Sequence, residues 1–415
     1  MSAGDAAELA ARLRSALDDG DAAGAAAVLA RLAPDAADAE DHPHLVLAAL
    51  EAGDVGAAER IARRARGLGE PAEPLRALTL QEASAQDLPP RLLWWDGEAH
   101  GRLLDRGMLA VLIGPGGSGK SSLALEAAIV AAAAHGINME DAPTASGLRV
   151  APARWLLAVG RGEDGTAYIG RRAEAIRRAI ASGADVAGEA PTSDGPAHEL
   201  PAALRGELGR GLPPGAILSP LPGVLFEPPS RGDSRSLPRP TAAYRELWEL
   251  AEREDCDAVA IDTAASVFAG SANDAASVRA FLGALAEDAE RLGVGVLVLA
   301  HDSKAQRAAQ RTGDALAGQG AAGSSQWTDG ARAVLALQHV PHPPRPSAPK
   351  AGDAAAQEAA LRSWHEARAW LERNRRRLMV EKANHGPSFA SCELGLRWPA
   401  GEPGSFAGWA REAAP

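Results

Sequence analysis

The rhythm of apolar positions along this chain changes near residue 100. Over residues 5–80, apolar side chains recur at helical spacing among Ala, Leu and Arg, which predicts helices. Beyond residue 100 the chain switches to apolar runs of five to seven residues, at 109–113, 154–159, 257–261, 294–300, 332–338 and 377–381, with helical stretches between them. That alternation predicts an α/β core, a mostly parallel sheet with covering helices, preceded by a small α-helical domain. Residues 81–100, QEASAQDLPPRLLWWDGEAH, read as a linker, 101–400 as the core and 401–415 as a tail. Residues 183–240 are rich in Pro, Gly and Ser and predict a long, partly disordered excursion. Residues 341–353 predict a loop, and 354–373 a further helix.

The helical N-terminal region contains a weak repeat. ALDDGDAAGAAAVLARL begins at Ala16 and ALEAGDVGAAERIARRA at Ala49, an offset of 33 (49 − 16). The period and the Gly-Asp turns resemble tetratricopeptide repeats, which bind protein partners. An alanine-rich helical bundle explains two copies equally well.

Composition adds limits. Hydrophobic content is 46% and charged content 23%, an ordinary globular balance. The net charge of −11 means that nucleic acid binding requires a local basic patch. The two cysteines, Cys256 and Cys392, are far apart and show no metal or disulfide spacing, which suits a reducing cytosol. The N-terminus has early acids and no apolar core of a secretory signal. No apolar stretch approaches the ~20 residues that span a bilayer. The expectation is a cytoplasmic protein without membrane contact.

Chemistry enters at Gly114-Pro115-Gly116-Gly117-Ser118-Gly119-Lys120-Ser121, which matches G-x-x-x-x-G-K-[ST] at every fixed position and is followed by Ser122. It sits between an expected strand and an expected helix, the context the motif requires. Glycines let successive N–H groups turn toward phosphate oxygens, and a helix N-terminus adds its positive end. Lys120 then reaches the β- and γ-phosphates and Ser121 offers a hydroxyl to Mg²⁺. The stretch is therefore expected to hold a nucleoside triphosphate. Asp262 ends the apolar run Ala258-Val259-Ala260-Ile261 and is the expected second holder of Mg²⁺, with capping of the following helix as the alternative. No Asn-Lys-x-Asp motif of guanine-specific proteins is present.

Four further stretches follow in order: WLLAVGRGEDG with Glu163-Asp164, LVLAHDSKAQ with His301, AAGSSQWTDGARAVLAL with Arg332, and RLMVEKANHGPS with Lys382 and Asn384. This series resembles the RecA-like P-loop ATPases, and among them the RepA-type hexameric helicases of plasmids and phages, over about residues 88–395. The resemblance implies Glu163 as the general base that orients water, with Asp164 as its rival. It implies His301 as a γ-phosphate sensor and Arg332 as an arginine finger on a neighbouring subunit's nucleotide, assisted by Lys382. It also implies ATP as the nucleotide, a head-to-tail ring, a hexamer in that family, and movement on single-stranded DNA. The sequence departs from relatives where Ala322 precedes Gly323-Ser324-Ser325, and where Lys382-Ala383-Asn384 replaces the Lys-x-Arg of DnaB-type proteins. A non-unwinding RecA- or KaiC-like regulatory or defence ATPase is the alternative. Candidate DNA contacts are Lys304, Arg307 and Arg311 in the loop 302–326, which has no aromatic residue, and the cluster Arg373, Arg375, Arg376 and Arg377. Trp94 and Trp95 are expected as two buried interface tryptophans, with stacking on a base as the alternative.

Overall fold

The computed structural model describes residues 3–18, 28, 87–95, 102–144, 146, 148–160, 166–182, 200–227, 237–301, 326–339, 358–366, 375–383, 391–397 and 408–411. It divides into two units, Met1–Asp87 and Leu88–Pro415. In the first unit, helix α1 (Ala3–Asp18) buries Leu9, Leu13 and Ala16 on one stripe. The 33-residue repeat otherwise lies outside the described residues.

The second unit is built on a sheet of nine strands. Six are parallel: β3 (Leu109–Gly114), β6 (Trp155–Val159), β7 (Ala216–Pro220), β10 (Ala258–Asp262), β11 (Gly295–His301) and β12 (Ala333–His339). Three antiparallel strands extend it: β13 (Arg375–Ala383), β14 (Ser391–Arg397) and β15 (Gly408–Arg411). The order across the sheet is β15-β14-β13-β12-β3-β11-β10-β6-β7. Each of the six apolar runs became a strand. In the five that belong to the parallel half, the lack of polar alternation has a direct cause: both faces are covered. Ala110, Leu112, Leu157 and Leu297 pack on one side, while Val111, Ile113, Val259 and Val298 pack on the other.

The first side is covered by α2 (Lys120–Gly136), α3 (Thr166–Ser182) and α4 (Ala202–Arg210). Helix α2, KSSLALEAAIVAAAAHG, is buried at every position from Ser122 to Ala134, so its alanines permit close approach all round. The second side is covered by α5 (Ala242–Arg253), the short α6 (Ala264–Val267) and α7 (Ala275–Leu292), around Phe226, Phe281 and Trp248. Asp274 caps α7 by accepting the Ser277 N–H at 2.8 Å, and Gly293 ends it at φ +64°.

Two expectations need correction. Residues 91–95 of the expected linker form β1 (Arg91–Trp95), which pairs with β2 (Arg102–Asp105) and β5 (Leu148–Val150); with β4 (Ala142–Pro143) they make a four-stranded antiparallel sheet. Trp94 is buried there, with the Arg91 guanidinium 4.8 Å from its ring centroid. The 183–240 stretch likewise contains α4 and β7, and a short pairing of β8 (Phe226–Glu227) with β9 (Arg239–Pro240). Strand β7, AILSP, is half-exposed and pairs only with β6. An edge strand has no second neighbour, so it tolerates Pro220 and shows no strong apolar signal.

Candidate nucleotide site

The phosphate loop joins the carboxyl end of β3 to α2. Its glycines are there for two separate reasons. Gly117 and Gly119 have φ of +70° and +96°, a region that L side chains rarely adopt. Gly114 has no room: a Cβ there stands 2.4 Å from the Leu337 carbonyl oxygen on β12. Ser118 N–H donates to Pro115 O at 3.2 Å, and Leu123 N–H donates to Gly119 O at 2.9 Å, starting the helix. Lys120 is 5% exposed, and its Nζ donates to the carbonyls of Gly114 (2.9 Å) and Pro115 (3.0 Å). The ammonium is thus held inside the curve of the loop. Ser121 is half-buried on the first turn, and Ser118 and Ser122 are buried. A positive φ loop, a helix N-terminus and a buried lysine together form a cradle that fits phosphate.

Neighbouring strands bring the other candidates to the same edge. His301 ends β11 in register with Gly114, and a Cβ on Gly116 would lie 3.9 Å from His301 Cε1. Asp262 ends β10, in register with Leu299 of β11 and Val159 of β6. Glu163 and Asp164 lie outside the described residues, but the chain leading to them is held. Gly160 N–H donates to Asp262 O at 2.9 Å, and a Cβ on Gly160 would stand 2.1 Å from Ser266 Oγ. Ser266 belongs to a capping box with Thr263: its Oγ accepts the Thr263 N–H at 3.1 Å and donates to Thr263 O at 2.8 Å. Sequence reasoning missed Gly160 and Ser266. The only signal was a glycine directly after a buried strand, and its partner is about a hundred residues away.

Arg332 and Lys382 lie elsewhere. Arg332 N–H donates to Leu109 O at 2.9 Å, so it sits at the amino end of β12, and its side chain is exposed. The length of β3, five steps of ~3.3 Å or ~17 Å, separates that level from Gly114. Lys382 of β13 is in register with Val334, which pairs with Val111, so it stands three steps or ~10 Å from the level of Gly114. Its Nζ donates to the carbonyls of Thr328 (3.3 Å) and Asp329 (3.1 Å) at the end of the short helix α8 (Gln326–Asp329). Both residues are too far away to serve the phosphate loop of their own chain.

The loop 302–325 and Arg373 lie outside the described residues. The basic cluster at 373–377 is not a uniform charged surface, because strand alternation turns Arg376 inward to 5% exposure. Cys256, at the amino end of β10, is buried, and that burial pushes its thiol up to about 11. Among the described residues there is no group of three or more His, Cys, Asp or Glu placed to hold a metal, and no helix is long and apolar enough to cross a membrane.

The strand order, the loop between β3 and α2 and the acid ending β10 define a P-loop ATPase with a RecA-like α/β core. The AAA domain family matches residues 69–307, more than half of the chain, and the chain belongs to that family. No curated protein sequence matches. Among solved structures, a DnaB-like replicative helicase, described with its interactions with primase, aligns at 14% identity and a TM-score of 0.41. The alignment covers 74% of this chain and 57% of that one, so the chain spans little more than half of the helicase's length. The RadB recombinase aligns at 13% identity and a TM-score of 0.34, covering 70% of this chain and 88% of that one.

Proposed function

We propose that this ATPase hydrolyses Mg²⁺-ATP in a head-to-tail ring, a hexamer in the RepA-type family it resembles, and converts the turnover into movement along single-stranded DNA. The observation that carries this reading is the separation of the cations. Lys120 lies in the phosphate loop, while along the strands Arg332 sits ~17 Å and Lys382 ~10 Å from the level of Gly114, toward the amino ends of the parallel strands. A cation that cannot reach its own nucleotide can reach a neighbour's, and a repeated one-way contact closes into a ring. In this arrangement the N–H groups of residues 116–121 and the Lys120 ammonium hold the β- and γ-phosphates. Ser121 and Asp262 are the oxygen donors for Mg²⁺, which neutralises phosphate charge when bound. Glu163 orients the attacking water, His301 reads the γ-phosphate beside Gly116, and Arg332 with Lys382 stabilises transition-state charge on the adjacent subunit. The loop 302–326, which begins after His301, carries Lys304, Arg307 and Arg311 toward the strand.

A second reading has one observation behind it, the net charge of −11: a regulatory or defence ATPase whose N-terminal unit binds a protein. Steady-state hydrolysis at low salt, with and without single-stranded DNA, separates the two. The motor predicts DNA-stimulated turnover that Lys120→Ala and Glu163→Gln abolish. Turnover that ignores DNA sinks the motor and points to partners of residues 1–80.

A further inference from the structure

The outer layer formed by α3 and α4 differs from the rest of this acidic chain. The two helices carry six arginines, Arg171, Arg172, Arg177, Arg178, Arg205 and Arg210, against two acids, Glu174 and Glu207. Both acids are engaged within the layer. Glu174 accepts both Arg177 Nε (2.8 Å) and Nη2 (2.6 Å) and lies 3.5 Å from Arg178, and Glu207 accepts Arg210 Nη1 at 2.6 Å. Among the described residues no carboxylate pairs with Arg171 or Arg205. Helix α3 turns Ile169, Ala173, Ile176 and Ile180 inward. At 100° per residue, Tyr168, Arg171 and Arg178 then share an outward arc of about 80°, in a stripe ~15 Å long. Tyr168 is 66% exposed, and the Arg171 guanidinium stands 6.0 Å from its ring centroid.

We propose that this face of α3 and α4 is a docking surface for single-stranded nucleic acid. The inference rests on the reading above that the ATPase acts on nucleic acid, and it places a contact away from the loop 302–326. Arginines take phosphate oxygens without reading sequence, and an exposed ring gives an unpaired base a surface to stack on. The loop supplies cations but no aromatic; α3 supplies both. An acidic peptide would satisfy the arginines and leave Tyr168 without a role, so nucleic acid is the better fit. The stripe begins five residues after Glu163 in the sequence.

The test uses the full chain, fluorescein-labelled oligothymidylate and anisotropy across a salt series. Tyr168→Ala is expected to weaken binding about tenfold and Tyr168→Phe to restore it. The double variant Arg171→Glu/Arg178→Glu is expected to lower the slope of log affinity against log salt by about 1.4, two contacts at ~0.7 each. Circular dichroism melts confirm that each variant is folded. Wild-type affinity in these variants, with binding lost in Lys304→Ala/Arg307→Ala/Arg311→Ala, overturns the surface and leaves the motor reading standing. A wild-type chain that binds no oligothymidylate overturns both. Competition by polyglutamate as strong as by unlabelled oligothymidylate overturns it in favour of an acidic protein. A raised KM for ATP with unchanged DNA affinity moves Tyr168 to the nucleotide.

Discussion

Gly114→Ala isolates the steric role of the phosphate loop from its chemistry. The added methyl would stand 2.4 Å from Leu337 O, 3.0 Å from Ser118 Oγ and 3.3 Å from Leu337 Cβ. A comfortable C···O approach is ~3.3 Å, so β12 must retreat from the loop by about 0.9 Å. Leu337 cannot give easily, because β12 is clamped between β3 and β13, where Leu337 faces Leu378. Overpacking of this kind costs about 1–3 kcal/mol. At ~2–4 °C per kcal/mol, Tm should fall by roughly 2–12 °C. The sign opposes the usual effect of Gly→Ala at a compatible position, which stabilises by ~0.4–1 kcal/mol. Gly170→Ala supplies that comparison: it lies within α3 with nothing inside 4 Å of the added carbon. Gly117→Ala also meets nothing within 4 Å but forces a side chain into φ +70°, at a cost of about 1–2 kcal/mol without moving β12. Calorimetry of the three variants with and without ATP, beside KM for ATP, makes the test. Gly114→Ala is expected to lower Tm and raise KM, and Gly170→Ala to raise Tm and leave KM alone. A Gly114→Ala protein that melts at or above the wild-type temperature refutes the steric argument.

Other expectations are narrower. Arg332→Ala should bind ATP normally yet lose turnover, and an equal mixture with Lys120→Ala should regain up to about a quarter of wild-type rate, because one interface in about four then pairs an intact loop with an intact arginine; no recovery on mixing would place Arg332 outside the chemistry. The Cys256 thiol should resist iodoacetamide at pH 8 in a Cys392→Ser background and react on unfolding. Its folded pKa lies above its unfolded one, so the native state keeps a proton that the unfolded chain releases; stability is full below about 9 and is lost as pH rises toward about 11. Fast labelling of the folded protein would contradict the burial. Tyr244 donates to Asp288 Oδ2 at 2.6 Å, and burial, followed by the Asp288 charge, holds its phenol above the ordinary range. The sign is the same: its contribution is present below ~10 and fades above. Tyr244→Phe should therefore lower stability at neutral pH by ~1 kcal/mol and flatten the alkaline loss by one proton, measured by urea melts at neutral and alkaline pH.

Periodicity and one motif carried most of the fold. Six apolar runs became six strands; the five in the parallel half show no alternation because a strand covered on both faces has no polar positions to alternate. The phosphate loop was legible because close backbone approach and positive φ demand glycine at fixed places. What remained hidden was of two kinds. Strand β7 lies at a sheet margin, where half-exposed residues such as those of AILSP leave no strong pattern, and β1 is a five-residue strand whose partners β2 and β5 come later in the chain. The pressing of Gly160 against Ser266, and of Gly114 against Leu337, joins residues that only the strand order makes neighbours. The family resemblance named Arg332 and Lys382 as cations for a neighbouring subunit's nucleotide. Only the strand register shows at which level of the sheet each stands, since the level of a residue along a strand depends on its partners and not on its own neighbours in the chain.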